Sequence, residues 1–152
     1  MKTELASLFT RDLNRVMAEL EAYPSEAALW QVSAQVTNSA GNLALHLVGN
    51  LSQFVGADLG GAPFARDRDP EFSRRDVPRA ELLGSLRRTR DVTQLTLNGL
   101  DEARLDAVHP RQLSGFPEAM NTRFFLLHLY GHLNYHLGQI NYHRRLLSEQ
   151  PS

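Results

Sequence analysis

Four of the six histidines fall in one stretch near the end of the chain: His128, His132, His136 and His143. The first three recur every fourth residue, a spacing that stacks side chains on one helix face about 5–6 Å apart at Cβ. Two imidazoles at that separation are within reach of one metal ion. A third ligand has to come from another element. His46, in Asn42-Leu43-Ala44-Leu45-His46-Leu47-Val48-Gly49-Asn50, is the candidate. Three histidines and an open coordination position describe a catalytic rather than a structural metal site. His128 and His136 are two turns apart, about 12 Å along the axis, so the chelating pair is adjacent. His128/His132 and His132/His136 both satisfy the pattern.

On a rotation of about 100° per residue with His128 at zero, His132, His136, Gln139 and His143 fall at roughly 40, 80, 20 and 60°. Leu126, Leu129, Leu133, Leu137 and Ile140 flank this arc on one side, and Phe124, Tyr135, Tyr142 and Leu146 on the other. Arg123, Asn134, Asn141, Arg145 and Glu149 lie opposite, which makes that the expected solvent face and points the histidines into the protein. Burying imidazoles among leucines is unfavourable unless each finds a hydrogen-bond partner or a metal. Asn38, Asn42, His46 and Asn50 form a second polar stripe at helical spacing. The two stripes facing one another, with Asn and Gln orienting the imidazoles, fit a shared ion. Outside this set, His109 beside Pro110 reads as a surface residue. His143 reads as structural, its cationic form complementing a helix C-terminus.

The elements that must position these residues are helical. Leu5, Leu8, Phe9, Val16 and Leu20 give an amphipathic helix from Thr3 to about Glu21, with Arg11, Asp12, Arg15 and Glu19 on its polar side. Thr3 is its expected cap and Tyr23-Pro24-Ser25 its stop. Trp30 falls in an irregular connection. A second helix runs from about Ser39 to Val55, capped by Thr37, Asn38 or Ser39. Gly60 to Pro78 is a long polar linker of a kind that often borders a site. A third helix starts at Pro78 and continues to about Gly99. A short turn follows over Asp101–Leu105, then a loop through His109 and Pro117, then the last helix from about Glu118 to Leu147. Strand signals are weak, because β-branched residues never alternate over a useful length. The expectation is an all-α fold: one domain over residues 1–152, an antiparallel four-helix bundle with a long crossover linker.

Composition bounds the chemistry. The chain has 152 residues, enough for a real core. It has no cysteine, so there is no internal thiol nucleophile or thiolate ligand, and sulfur chemistry requires an external thiol. A formal charge of −1 supplies no basic field for nucleic acid. The N-terminus lacks the apolar stretch of a signal peptide, and no run approaches the ~20 apolar residues of a membrane span. A cytoplasmic protein without a membrane partner is the expectation.

Two segments, Asn42 to Asn50 and His132-Leu133-Asn134-Tyr135-His136-Leu137-Gly138-Gln139-Ile140, resemble the DinB/YfiT-like family of bacterial metal-dependent enzymes. The second is the more specific, and the likeness extends to the helix order and the wide separation of His46 from His132. The resemblance implies a four-helix bundle, commonly a homodimer, with His46, His132 and His136 on a divalent ion such as nickel, zinc or iron. It leaves His128 as an additional histidine one turn before the pair. Characterised relatives include transferases that use low-molecular-weight thiols of the bacillithiol or mycothiol type, and a mycothiol-dependent isomerase.

The leading functional reading is therefore a metal-dependent enzyme that activates a small nucleophile for attack on a small-molecule substrate. With an external thiol it is an S-transferase acting on electrophiles; with water it is a hydrolase. No general base is identifiable from sequence, and Tyr135, Asn134 and Gln139 are candidates only for orientation. An anionic thiol cofactor would draw on Arg66, Arg68, Arg74, Arg75 and Arg79 of the linker. A non-enzymatic metal or small-molecule binding module is a separate reading, and a plain helical interaction protein a third. Gly131 and Gly138, close together on the last helix, would permit tight packing against another subunit.

Overall fold

The computed structural model describes residues 1–148; Glu149 and the rest of 149–152 lie outside the described residues. The fold is all-α, and the described residues contain no strand beyond one isolated bridge between Val108 and Asn121. Helix α1 spans Lys2–Glu21, α2 Ala40–Leu51, α3 Asp69–Ser73, α4 Arg79–Gly99, α5 Ala103–Asp106 and α6 Thr122–Ser148. A single 3₁₀ turn covers Ala27–Trp30, and α2 continues as a π-helical stretch over Ser52–Ala57. Helices α1 and α2 each pack against both α4 and α6, so the four longer helices surround one core. Phe9, Leu13 and Leu20 of α1, Leu47 and Leu51 of α2, Leu82, Leu86 and Leu97 of α4, and Phe125 and Leu126 of α6 fill it.

Local chemistry sets the helix ends. Ser39 caps α2, its side chain accepting from the Asn42 amide. The first helix begins at Lys2 with Met1 at the cap position, so Thr3 lies inside it. The last helix starts at Thr122 rather than near Glu118. Residues 120–122 are drawn instead to the 107–112 loop, where Thr122 N–H donates to the Ala107 carbonyl and Met120 N–H to Gln112 Oε1. Asn121 then caps α6 by accepting from Phe124 N–H at 2.8 Å.

The 60–78 linker is more structured than its polarity suggested. It contains α3, and it buries Glu71 and Val77. Asn42 Nδ2 ties it to α2 by donating to the carbonyls of Glu71 (3.0 Å) and Arg74 (2.9 Å). Trp30 also leaves the solvent and lies against Gly41, where an added Cβ would stand 2.6 Å from the indole. Asp12, expected on the polar side of α1, is fully buried. It accepts from Arg11 and Arg15 and from the Tyr130 hydroxyl, at 2.7 Å for the last. Burial alone would raise its pKa, but these donors outweigh it and hold the carboxyl down at about 2.

Candidate metal centre

Helix α2 presents His46, and α6 presents His132 and His136 one turn apart. The structure brings these three together, with one ligand atom from each lying within 4.8 Å of the others. His132 Nε2 sits 3.0 Å from His46 Nε2 and 3.1 Å from His136 Nε2. The rings stand edge to face, at 71° for His46/His132 and 87° for His132/His136. His128 is exposed, its ring 6.3 Å from that of His132 and edge-on to Phe116, outside the cluster. The adjacent pair that meets His46 is thus His132/His136.

Three converging Nε2 atoms are difficult to satisfy with protons alone. His136 Nδ1 lies 2.6 Å from Gln139 Oε1, an acceptor, so Nδ1 carries the proton and Nε2 a lone pair. A proton on His132 Nε2 can serve only one of its two neighbours. If the proton sits on Nδ1 instead, it is buried without a partner, because His132 Nδ1 has none. A cation among the Nε2 lone pairs removes this conflict. Imidazoles bound tetrahedrally to zinc at ~2.0–2.1 Å have nitrogens about 3.3 Å apart, close to the spacing found. The donor set fits a borderline divalent ion such as nickel, zinc or iron.

Electrostatics favour the neutral form of His132 and His136. Burial pushes the His132 pKa down to about 3, with neighbouring histidines adding to the effect. Burial also lowers His136, against the opposing hydrogen bond to Gln139. Around His46 the linker supplies what sequence reasoning missed. Glu71, 5% exposed, lies with Oε2 3.5 Å from His46 Nδ1, and Arg66 Nη2 lies 3.3 Å from the same nitrogen. Arg66 grips the carboxylate through Nε (2.7 Å) and Nη2 (3.0 Å). Burial would raise the Glu71 pKa, but its contacts with His46 and Arg66 prevail and lower it, so the group is ionised. From the sequence, Arg66 is expected only to meet an anionic cofactor, and nothing there singles out Glu71.

Other expectations change with the coordinates. Asn42 serves the linker rather than an imidazole, and Asn50 Oδ1 is buried without a partner. Tyr135 is 64% exposed beside His136, and Asn134 donates to the Tyr130 carbonyl, so neither holds one of the three imidazoles; Gln139 does. His109 is buried rather than on the surface, edge-on to Phe125 at 4.7 Å, with Nδ1 accepting from Arg111 N–H. His143 is structural but not cationic. Its Nε2–H donates to the Gln31 carbonyl, Nδ1 lies 2.7 Å from the Tyr23 hydroxyl, and burial lowers its pKa.

The expected solvent face of α6 is the largest revision. Asn141 and Arg144 bind Glu19 of α1, while Phe124, Leu127, Tyr135, Tyr142 and Leu146 are exposed. Of the expected solvent face Arg145 is exposed, whereas Asn141 is held inward by Glu19 of α1, because polar contacts between α1 and α6 override the tendency of polar residues to face water.

The linker arginines are mostly engaged. Arg66 holds Glu71, Arg74 pairs with Glu81, Arg75 donates to Asn42 and two carbonyls, and Arg79 donates to the carbonyls of Glu21 and Tyr23. Arg68 lies instead over the Phe72 ring, which packs 5.0 Å from His46.

Residues 8–140 match the family model of the DinB superfamily, and because that span covers most of the chain, the protein belongs to this superfamily. Comparison with curated proteins found no match, and neither did comparison with solved structures.

Proposed function

We propose that this DinB-superfamily protein is a cytoplasmic metal-dependent enzyme that uses an external low-molecular-weight thiol in S-transfer to a small electrophile. His46, His132 and His136 hold the ion. The observation that carries this reading is the convergence of three Nε2 atoms whose proton needs cannot all be met. A divalent ion held there would supply Lewis acidity, lowering the pKa of a thiol or a water that reaches its open position. The chain's own residues do the rest. Gln139 and Glu71 fix the imidazoles, and burial keeps His132 and His136 neutral. The absence of cysteine assigns the thiol to a separate molecule. Arg68, unpaired among the described residues, is the linker cation placed to meet an anionic group on it.

A cavity of about 320 Å³ between α2, residues 35–38 and α6 is suited to the small-molecule substrate. Val36, Leu43, Ile140 and Leu146 line it together with Asn38 and Gln139, the residue that holds His136. Among the described residues no Asp, Glu, Lys or Arg lines it, which suits an uncharged electrophile. Membrane and nucleic acid are not partners in this reading. No described helix is long and apolar enough to cross a membrane, and the net charge is near zero.

We also propose a homodimer built on the exposed side of α6. Phe124, Leu127, Tyr135 and Tyr142 form an apolar strip there. Gly131 and Gly138 lie within it, and an added Cβ on either would meet nothing within 4 Å. Two glycines inside an exposed helix cost about 1 kcal/mol each in propensity. A second copy of the same helix, approaching closely over them, offsets that.

The functional test is consumption of a neutral test electrophile such as chlorodinitrobenzene by protein loaded with nickel, zinc or iron, with and without added thiols. Turnover that requires both metal and thiol, and that His132→Ala abolishes, supports transfer. Ester or amide turnover without thiol makes the protein a hydrolase. Tight metal binding with neither activity makes it a binding module.

A further inference from the structure

A histidine that offers Nε2 to an ion carries its proton on Nδ1, so the partner of Nδ1 governs how well it binds. His136 has Gln139 for this purpose. His46 has two neighbours that demand opposite tautomers. Glu71 Oε2, 3.5 Å from Nδ1, is an acceptor and favours Nδ1–H. Arg66 Nη2, 3.3 Å away, is a donor and favours a bare Nδ1, which leaves the proton on Nε2 facing His132.

We propose that Glu71 is a positioning residue of the metal centre: through His46 it selects the tautomer whose Nε2 lone pair faces His132 and His136. Arg66 seats the carboxylate and competes with it for the same nitrogen. With an ion held at Nε2, His46 would keep its proton on Nδ1 and donate it to Glu71, so His46 would release no proton on binding. The role rests on the metal-centre reading above.

The seat for this carboxylate is built from several elements. Gly49, one turn after His46 on the same helix, makes room for it, since a Cβ there would stand 2.5 Å from Glu71 Oε1. Asn42 holds the backbone of Glu71 from below, and Phe72, the next residue, packs on the His46 ring. A structural ion pair needs only Arg66 and Glu71. It does not need the pair to be buried against the back of a histidine whose other nitrogen points at two more.

The test combines zinc titration by chelator competition with long-range proton–nitrogen NMR of the histidine rings, on the parent, Glu71→Gln and Glu71→Met. In the zinc-loaded parent, His46 should carry a hydrogen-bonded, slowly exchanging proton on Nδ1. Zinc affinity should fall about 10-fold in Glu71→Gln, which keeps an oxygen acceptor, and towards 100-fold in Glu71→Met, which offers only a weak thioether acceptor. Folded Glu71→Met that binds zinc like the parent would overturn the role. So would a loaded parent whose His46 Nδ1 proton exchanges as freely as an exposed one, a result that stands even if the variants do not fold. A parent that takes up no zinc overturns the centre itself and this role with it, whereas uptake indifferent to residue 71 overturns this role alone.

Discussion

His132 lies between two other imidazoles in a half-buried position, and its proton is expelled by burial first and by its neighbours second, down to a pKa of about 3. His136 and His143 are lowered too, both chiefly by burial. An unfolded chain takes up these protons near the ordinary histidine value of about 6.5. Below that pH the unfolded state binds more protons than the folded one, so stability falls as pH falls. Chelator-treated protein should therefore lose stability steadily from about pH 6.5 towards pH 3. His132→Gln should flatten this dependence, as read from urea midpoints at pH 7.5 and pH 5. An unchanged slope would mean that His132 is not desolvated. At this scale the histidine pattern was legible because a regular spacing of costly polar residues on an apolar helix is a strong signal. Asp12, Glu71 and His109 were not. Each is buried by partners far away in sequence (Tyr130 for Asp12, His46 for Glu71, Phe125 for His109), and residue type alone reads as exposed.

Helix α2 ties the centre to the linker through one missing side chain. Gly49 lets Glu71 lie against the helix, so Gly49→Ala should destabilise the protein by roughly 1–3 kcal/mol through overpacking and loosen α3 from α2. Thermal melts measure the first effect, and proteolysis within residues 60–78 measures the second. A melt like the parent's and an uncut linker would mean that the Glu71 seat adjusts freely. The long helices were readable to within a few residues because their apolar spacing is regular. Ser39 was among the expected caps and is the one used. The start of α6 was misplaced because a bridge to Val108 holds the residues before it, and a non-local pairing leaves no periodic mark. Helix α3 was invisible for a related reason. Five residues are too few for a periodic signal, and α3 is held by Asn42 from another helix.

For the whole molecule, the proposed dimer rests on the side of α6 away from the core. Gly131→Glu places a helix-favouring, charged residue where a monomer has open space. In a dimer packed on that strip it should break the assembly and halve the mass seen by light scattering. In a monomer it should only raise the melting temperature slightly, through helix propensity. A parent already monomeric at micromolar concentration would remove the dimer. The all-α class was plain from sequence, but the rotation of α6 was not, because Glu19 draws Asn141 and Arg144 inward and leaves aromatics outside.

Every role assigned to His46, His132 and His136 depends on the ion itself. Elemental analysis of untagged protein, purified without chelator and repeated after loading with nickel, zinc and iron, measures it most directly beside His132→Ala. The arrangement of His46, His132 and His136 predicts about one divalent ion per chain in the parent, as a three-histidine site holds one, and none in the variant. A parent that stays empty after loading, or a variant that binds as well as the parent, would contradict the account.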